Sequence, residues 1–181
     1  IQADTLMPGF YWKFPILWKI NKSEVMVVNP GEIGAIKSVD GAILPPSKLL
    51  GDEVECDSFQ NTIAFLDKGG YKGPQIGFLR PGTYRINPLA FDVVLKKAVE
   101  IKENQIGVAI ALDGKPLPTG YVIAPVPEVP SDTKDDLKFF QDGQTFIKHG
   151  GYRGPQLDTL QPGTYYINPL LFDVKVFPIA D

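Results

Sequence analysis

The sequence predicts a mainly β fold, of the α+β kind with few short helices, made of small antiparallel β-modules in tandem. Three observations predict it. A long segment of the chain occurs twice. Turn dipeptides recur at the same places in each copy. The stretches between them alternate with period two.

The repeat is the strongest of the three. Gly69-Gly70-Tyr71-Lys72-Gly73-Pro74-Gln75 returns as Gly150-Gly151-Tyr152-Arg153-Gly154-Pro155-Gln156, displaced by 81 residues. The match runs without a gap to Phe91-Asp92-Val93 and Phe172-Asp173-Val174, and 18 of the 25 positions from 69 to 93 are identical. A weaker copy opens the chain, displaced by 73 residues: Leu6, Pro8, Gly9, Tyr11 and Pro15 fall on Leu79, Pro81, Gly82, Tyr84 and Pro88. The same displacement carries Ile33-Gly34 onto Ile106-Gly107 and Asp40-Gly41 onto Asp113-Gly114. The chain is therefore expected to divide into a partial first module (1–58), a second module (59–123), a Pro-rich and acidic linker (124–139) and a partial third module (140–181).

Within a module, the pairs Pro8-Gly9, Pro81-Gly82 and Pro162-Gly163 predict tight turns, proline presetting φ and glycine taking positive φ after it. Residues 106–112 alternate large and small and end at Asp113-Gly114, which predicts a strand running into a hairpin-type turn. Val93, Leu95, Val99 and Ile101 alternate as one extended stretch. One short helix per module is expected. Phe59, Ile63 and Leu66 have helical spacing, Asp57 or Ser58 can cap the start and Gly69 can stop it. The matching piece, 140–149, carries Gly143 and shows a weaker pattern. Residues 124–130 read as an extended, polyproline-like spacer between modules.

Composition narrows the function. Apolar residues make up 44% and charged residues 22%, an ordinary globular balance. The net charge is -3, with no basic excess for phosphates, so no nucleic-acid partner is expected. A single cysteine, Cys56, excludes an internal disulfide framework. No run approaches the roughly 20 apolar residues of a membrane-spanning helix. The chain opens Ile1-Gln2-Ala3 without Met, which reads as a trimmed segment whose flank is expected to hold an anchor.

No catalytic residue, cofactor or metal site is expected. His149 is the only histidine and its counterpart is Lys68. A position that takes either cation suits a helix C-terminus better than a general base. Cys56 stands among Asp52, Glu53, Glu55 and Asp57, whose charges raise its pKa and blunt a nucleophile. Asp132, Asp135 and Asp136 lack the spacing and glycine of a calcium loop and read as a solvated face. The glycines of Gly-Gly-Tyr-x-Gly-Pro-Gln are followed by no Lys-Ser or Lys-Thr, so they read as backbone turns and not as a phosphate loop.

Phe10, Trp12 and Phe14 stand where the second copy has Thr83, Arg85 and Asn87. Their alternation puts them on one face of a strand. They are the candidate membrane or partner contact, since aromatic rings are favoured at a membrane interface and at subunit contacts. The competing reading is a strand slipped by one residue, with the stripe as this module's core face; Lys13 in place of Ile86 and Ile167 supports it. Trp18 aligns with Phe91 and Phe172 and is expected in the core.

The segment from Leu6-Met7-Pro8-Gly9 to Pro15, followed by Val27-Val28-Asn29-Pro30-Gly31-Glu32-Ile33-Gly34-Ala35-Ile36, resembles the opening of the stomatin, prohibitin, flotillin and HflK/C superfamily, also called band 7 or SPFH. The Gly-Gly-Tyr-x-Gly-Pro-Gln and Pro-Gly-Thr-Tyr-x-Ile-Asn-Pro copies look like bacterial flotillin-type members and are similar to the β-repeats of major vault protein. The resemblance covers most of residues 6–41 and 69–114, and 150–174. It implies a non-enzymatic, membrane-associated scaffold that assembles into homo-oligomers and organises membrane or partner proteins. It supplies no catalytic residues. The anchor and the charged coiled coil of many members are absent from this sequence and are expected in its flanks. The alternative is a carbohydrate- or small-ligand-binding β-module of a surface protein, because Tyr71, Tyr84, Tyr152 and Tyr165 recur and repeated aromatics can stack on sugars.

Overall fold

The central strands carry the Ile-Gly segments, and everything else pairs outward from them. The computed structural model describes residues 5–14, 16–127 and 140–179. The first unit runs β1 (Met26–Val28), β2 (Glu32–Ser38), α1 (Thr62–Asp67), β3 (Gly73–Leu79), β4 (Gly82–Tyr84) and β5 (Phe91–Lys97). The second repeats it as β6 (Val99–Ile101), β7 (Gln105–Ala111), α2 (Gly143–Lys148), β8 (Gly154–Leu160), β9 (Gly163–Tyr165) and β10 (Phe172–Pro178). The fold is α+β, dominated by antiparallel sheets with few short helices. No helix of the described residues is long and apolar enough to cross a membrane.

Each unit holds a three-stranded sheet, β3-β2-β5 or β8-β7-β10, and a two-stranded ribbon, β1-β4 or β6-β9, all antiparallel. The displacement of 73 relates β1 and β2 to β6 and β7. The displacement of 81 relates α1 and β3–β5 to α2 and β8–β10. The sheets therefore join residues on both sides of position 58. The described start of the segment read as a linker runs along β8: Ala124 N donates to Pro155 O at 2.7 Å, and Leu157 N to Ala124 O at 3.2 Å. Residues 128–139, with Asp132, Asp135 and Asp136, lie outside the described residues.

Several local expectations change in the fold. The stretch from Val93 to Ile101 is two strands, because Ala98 N turns to Gly31 O and hands the chain from the β2 sheet to the β6-β9 ribbon. Helix α1 is capped by Asn61, whose side chain accepts from Ala64 N at 2.9 Å, and not by Asp57 or Ser58. Asp57, Ser58 and Phe59 instead take left-handed φ of 53°, 52° and 65°, a tight turn that drives the Phe59 ring inward. Gly69, at φ 80°, ends the helix as expected. Gly82 takes no positive φ; its missing side chain makes room for Tyr84, whose ring folds over the turn and whose hydroxyl donates to Arg80 O at 2.9 Å. Tyr165 does the same to Gln161 O at 2.8 Å.

The Gly-Gly-Tyr-x-Gly-Pro-Gln motif is explained by packing. Gly70 and Gly151 lie against the rings of Phe65 and Phe146, where a Cβ would overlap the ring. Gln75 Nε2 closes the loop by donating to Tyr71 O and Gly73 O, and Gln156 Nε2 does so to Tyr152 O and Gly154 O. The rings then meet edge to face: Phe65–Phe91 at 5.0 Å in the first core, Phe146–Phe172 at 4.9 Å in the second.

Candidate functional site

The two units meet through a junction built on a strand irregularity. Along β2 the pairing with β3 jumps from Ala35↔Phe78 to Lys37↔Pro74, so Gln75, Ile76 and Gly77 face one residue, Ile36. Such a bulge frees carbonyls from the ladder and re-aims a side chain. Asn168 Nδ2 of the second unit donates to the freed carbonyls of Gln75 and Ile76, at 3.0 and 2.7 Å. The Ile76 side chain, 3% exposed, enters the second unit's core beside Leu50, 2% exposed. Gly143 opens α2 at this point, where a Cβ would crowd Leu171 and Ile76. Polar contacts ring the apolar centre: Leu49 N to Asp113 Oδ2 at 3.0 Å, Glu53 N to Gln144 Oε1 at 2.8 Å and Arg80 Nη2 to Gln141 O at 3.1 Å.

Each unit therefore has two unlike ends. One presents the bulge and the loop before α1. The other presents the helix start and the Asn-Pro-Leu corner. The counterparts of Leu50 and Ile76 in the second unit are Ile123 and Leu157, and they are 49% and 58% exposed. Tyr121 and Val122 beside them are exposed too. At the opposite end of the molecule a recess of about 500 Å³ is lined by Thr5, Met7, Gln60, Asn61, Thr62 and Arg85. By the repeat, Met7 corresponds to Arg80, and Gln60, Asn61 and Thr62 correspond to Gln141, Asp142 and Gly143. Those three, with Glu53, Ile76 and Arg80, line a smaller cleft of about 250 Å³ at the junction. The first-copy segment thus approaches the first unit as the first unit approaches the second.

Phe10, Trp12 and Phe14 lie outside any strand and are exposed, Phe10 at 95% and Trp12 at 89%. Every large apolar side chain from Leu6 to Ile20 is exposed. Trp18, expected in the core, is exposed as well, with Lys13 Nζ 4.8 Å above its ring. Phe91 and Phe172, its counterparts, are buried because the helix rings of Phe65 and Phe146 pack on them, and no such helix precedes Trp18 among the described residues.

Burial raises the Cys56 thiol pKa, more than the neighbouring acids Glu53 and Asp57 do, with the Phe59 backbone hydrogen bond and Lys68 opposing. Lys68 and His149 are the C-cap residues of α1 and α2. Glu53, at the rim of the junction cleft, has its carboxyl raised by partial burial and then by Asp142, with Arg80 pulling the other way. Among the described residues no group of three or more His, Cys, Asp or Glu could hold a metal ion. Two of the four recurring tyrosines, Tyr84 and Tyr165, spend their hydroxyls on their own turns.

Leu50, Ile76 and Asn168 do not stand out in the sequence. The one available signal was the Ile-Asn-Pro-Leu run present in both copies, which marks a buried asparagine at 87 and 168 without saying what it binds. No family model, curated protein or solved structure matches the chain.

Proposed function

We propose that this chain is a non-enzymatic scaffold segment of the band 7 type, in which stacked β-units assemble with copies of themselves and lie against a membrane surface. The observation that carries the reading is the run of exposed apolar side chains around Phe10, Trp12 and Phe14, next to a pair of units held by an apolar junction. Exposed apolar patches rimmed by polar residues mark interaction sites. Aromatic rings are favoured at the level of lipid headgroups. Lys13, Lys19 and Lys22 stand in and beside the run and suit an anionic leaflet.

Flotation with vesicles of mixed zwitterionic and anionic phospholipid tests the membrane half. The wild-type chain is expected to float, with its tryptophan emission shifted to the blue. A triple variant, Phe10→Ser, Trp12→Ser and Phe14→Ser, is expected to stay at the bottom of the gradient. Wild-type protein that ignores the vesicles, or a triple variant that floats equally well, sinks this half of the proposal.

A further inference from the structure

We propose that the open end of the second unit docks the first unit of a second copy of this chain, head to tail. The inference deepens the scaffold reading and rests on its assembly half. The internal junction supplies the argument. Leu50 and Ile76 are buried in it, and Ile123 and Leu157 occupy the same places on a unit of the same build, left open to solvent. The bulge recurs as well: β7 pairs Val108↔Thr159 and then Ile110↔Pro155, so Gln156, Leu157 and Asp158 face Ala109 alone. An apolar pair on a bulge, exposed on one unit and buried on its twin, is a contact surface whose partner is a further unit.

The same chain carries the complementary end. Gln60, Asn61, Thr62 and Ile63 stand at the start of α1 where Gln141, Asp142, Gly143 and Gln144 receive the first unit at the start of α2. A recess of about 500 Å³ lies there. Thr62 Oγ1 is buried there with no hydrogen-bond partner among the described residues, and the buried Asn87 stands where Asn168 binds the bulge in the internal junction. Thr5 and Met7 also line the recess and must shift to admit it. Because the two ends differ, the contact is heterologous and builds rings or filaments, not an isologous dimer.

Sedimentation over a range of concentrations, with a cross-link, tests the proposal on the intact chain. The wild-type mass is expected to rise with concentration. Leu157→Asp, at an exposed site, is expected to weaken association by at least about tenfold while leaving the melting temperature unchanged. Glu53 and Gln144 are hydrogen-bonded across the internal junction, and their counterparts are Val126 and Ile63. A short bis-maleimide should therefore join a Val126→Cys population to an Ile63→Cys population when they are mixed, and neither alone; buried Cys56 in the wild type is the control. A wild-type chain that stays monomeric overturns the inference. So does association that Leu157→Asp leaves intact, or cross-linking as strong within one population as between the two. In the case of intact association the scaffold reading survives without this surface. Vesicle flotation of the same proteins reads the membrane half separately.

Discussion

The two units share one motif, and the same corner of that motif is core in one and surface in the other. Ile76 sits under Asn168 and against Gly143, whereas Leu157, on the matching bulge, is open. Both residues follow Gly-Pro-Gln and both strands shift register at the same place, while the next residues differ, Gly77-Phe78 against Asp158-Thr159. Burial is decided by whether a second unit follows in space. The opposite ends differ too. Gly143 leaves space for its neighbour, and Thr62 holds a hydroxyl in the corresponding place. A unit of this kind has a giving end and a receiving end, and its stability depends on how many of them are filled.

The largest test of that comparison is a matched pair. Ile76→Ala is expected to cost about 3 kcal/mol, since it empties a buried site, and Leu157→Ala to change stability by less than about 0.5 kcal/mol. Denaturant midpoints of the two variants measure the difference, and equal losses would erase the distinction between the ends. Next in size is Asn168→Ala, which strands the carbonyls of Gln75 and Ile76; a loss of about 2 kcal/mol is expected by the same measurement. Ser58→Gly goes the other way. It relieves a left-handed non-glycine residue and should stabilise the chain by about 0.5 to 1 kcal/mol, seen as a higher thermal midpoint.

The smallest effect concerns pH at the junction. The Glu53 carboxyl is raised above its ordinary value of 4.5 in the folded chain, so the folded state keeps this proton to higher pH than the unfolded state. Its contribution therefore turns unfavourable as pH rises from about that ordinary value through the raised one, and stays unfavourable above it. Glu53→Gln should remove that decline. Thermal midpoints across mildly acidic to neutral pH would show it, and an unchanged profile would place Glu53 outside the cleft. The counterpart in the second unit, Val126, cannot titrate, so this dependence belongs to the filled end alone.

Much of the fold was legible in the chain. The displacements of 73 and 81 recur as matching elements, although the sheets join residues on both sides of position 58, where a module boundary was expected. Asp113-Gly114 marked the end of β7, and Gly69 the end of α1. Other readings failed where tertiary contacts override local pattern. Asp57 and Ser58 looked like a helix cap, but the ring contacts of Phe59 with Phe65 and Phe91 hold the backbone in a left-handed turn instead. Trp18 looked like core by alignment, yet alignment supplies no helix to cover it. The alternation of Phe10, Trp12 and Phe14 suggested a strand, and the structure has none there; what their exposed rings touch is the subject of the vesicle experiment.

By itself, then, the sequence determined the local devices: glycines where a ring crosses the backbone, glutamines that clamp the loop they follow, alternating residues that make central strands. These act over a few residues and recur wherever the letters recur. Tertiary structure alone decided which copy of each apolar corner is covered, because covering needs a neighbouring surface some ninety residues away along the chain, as between Ile76 and Asn168. Two corners built on the same motif can have different burial for that reason, and the difference is where this molecule has a surface left to offer.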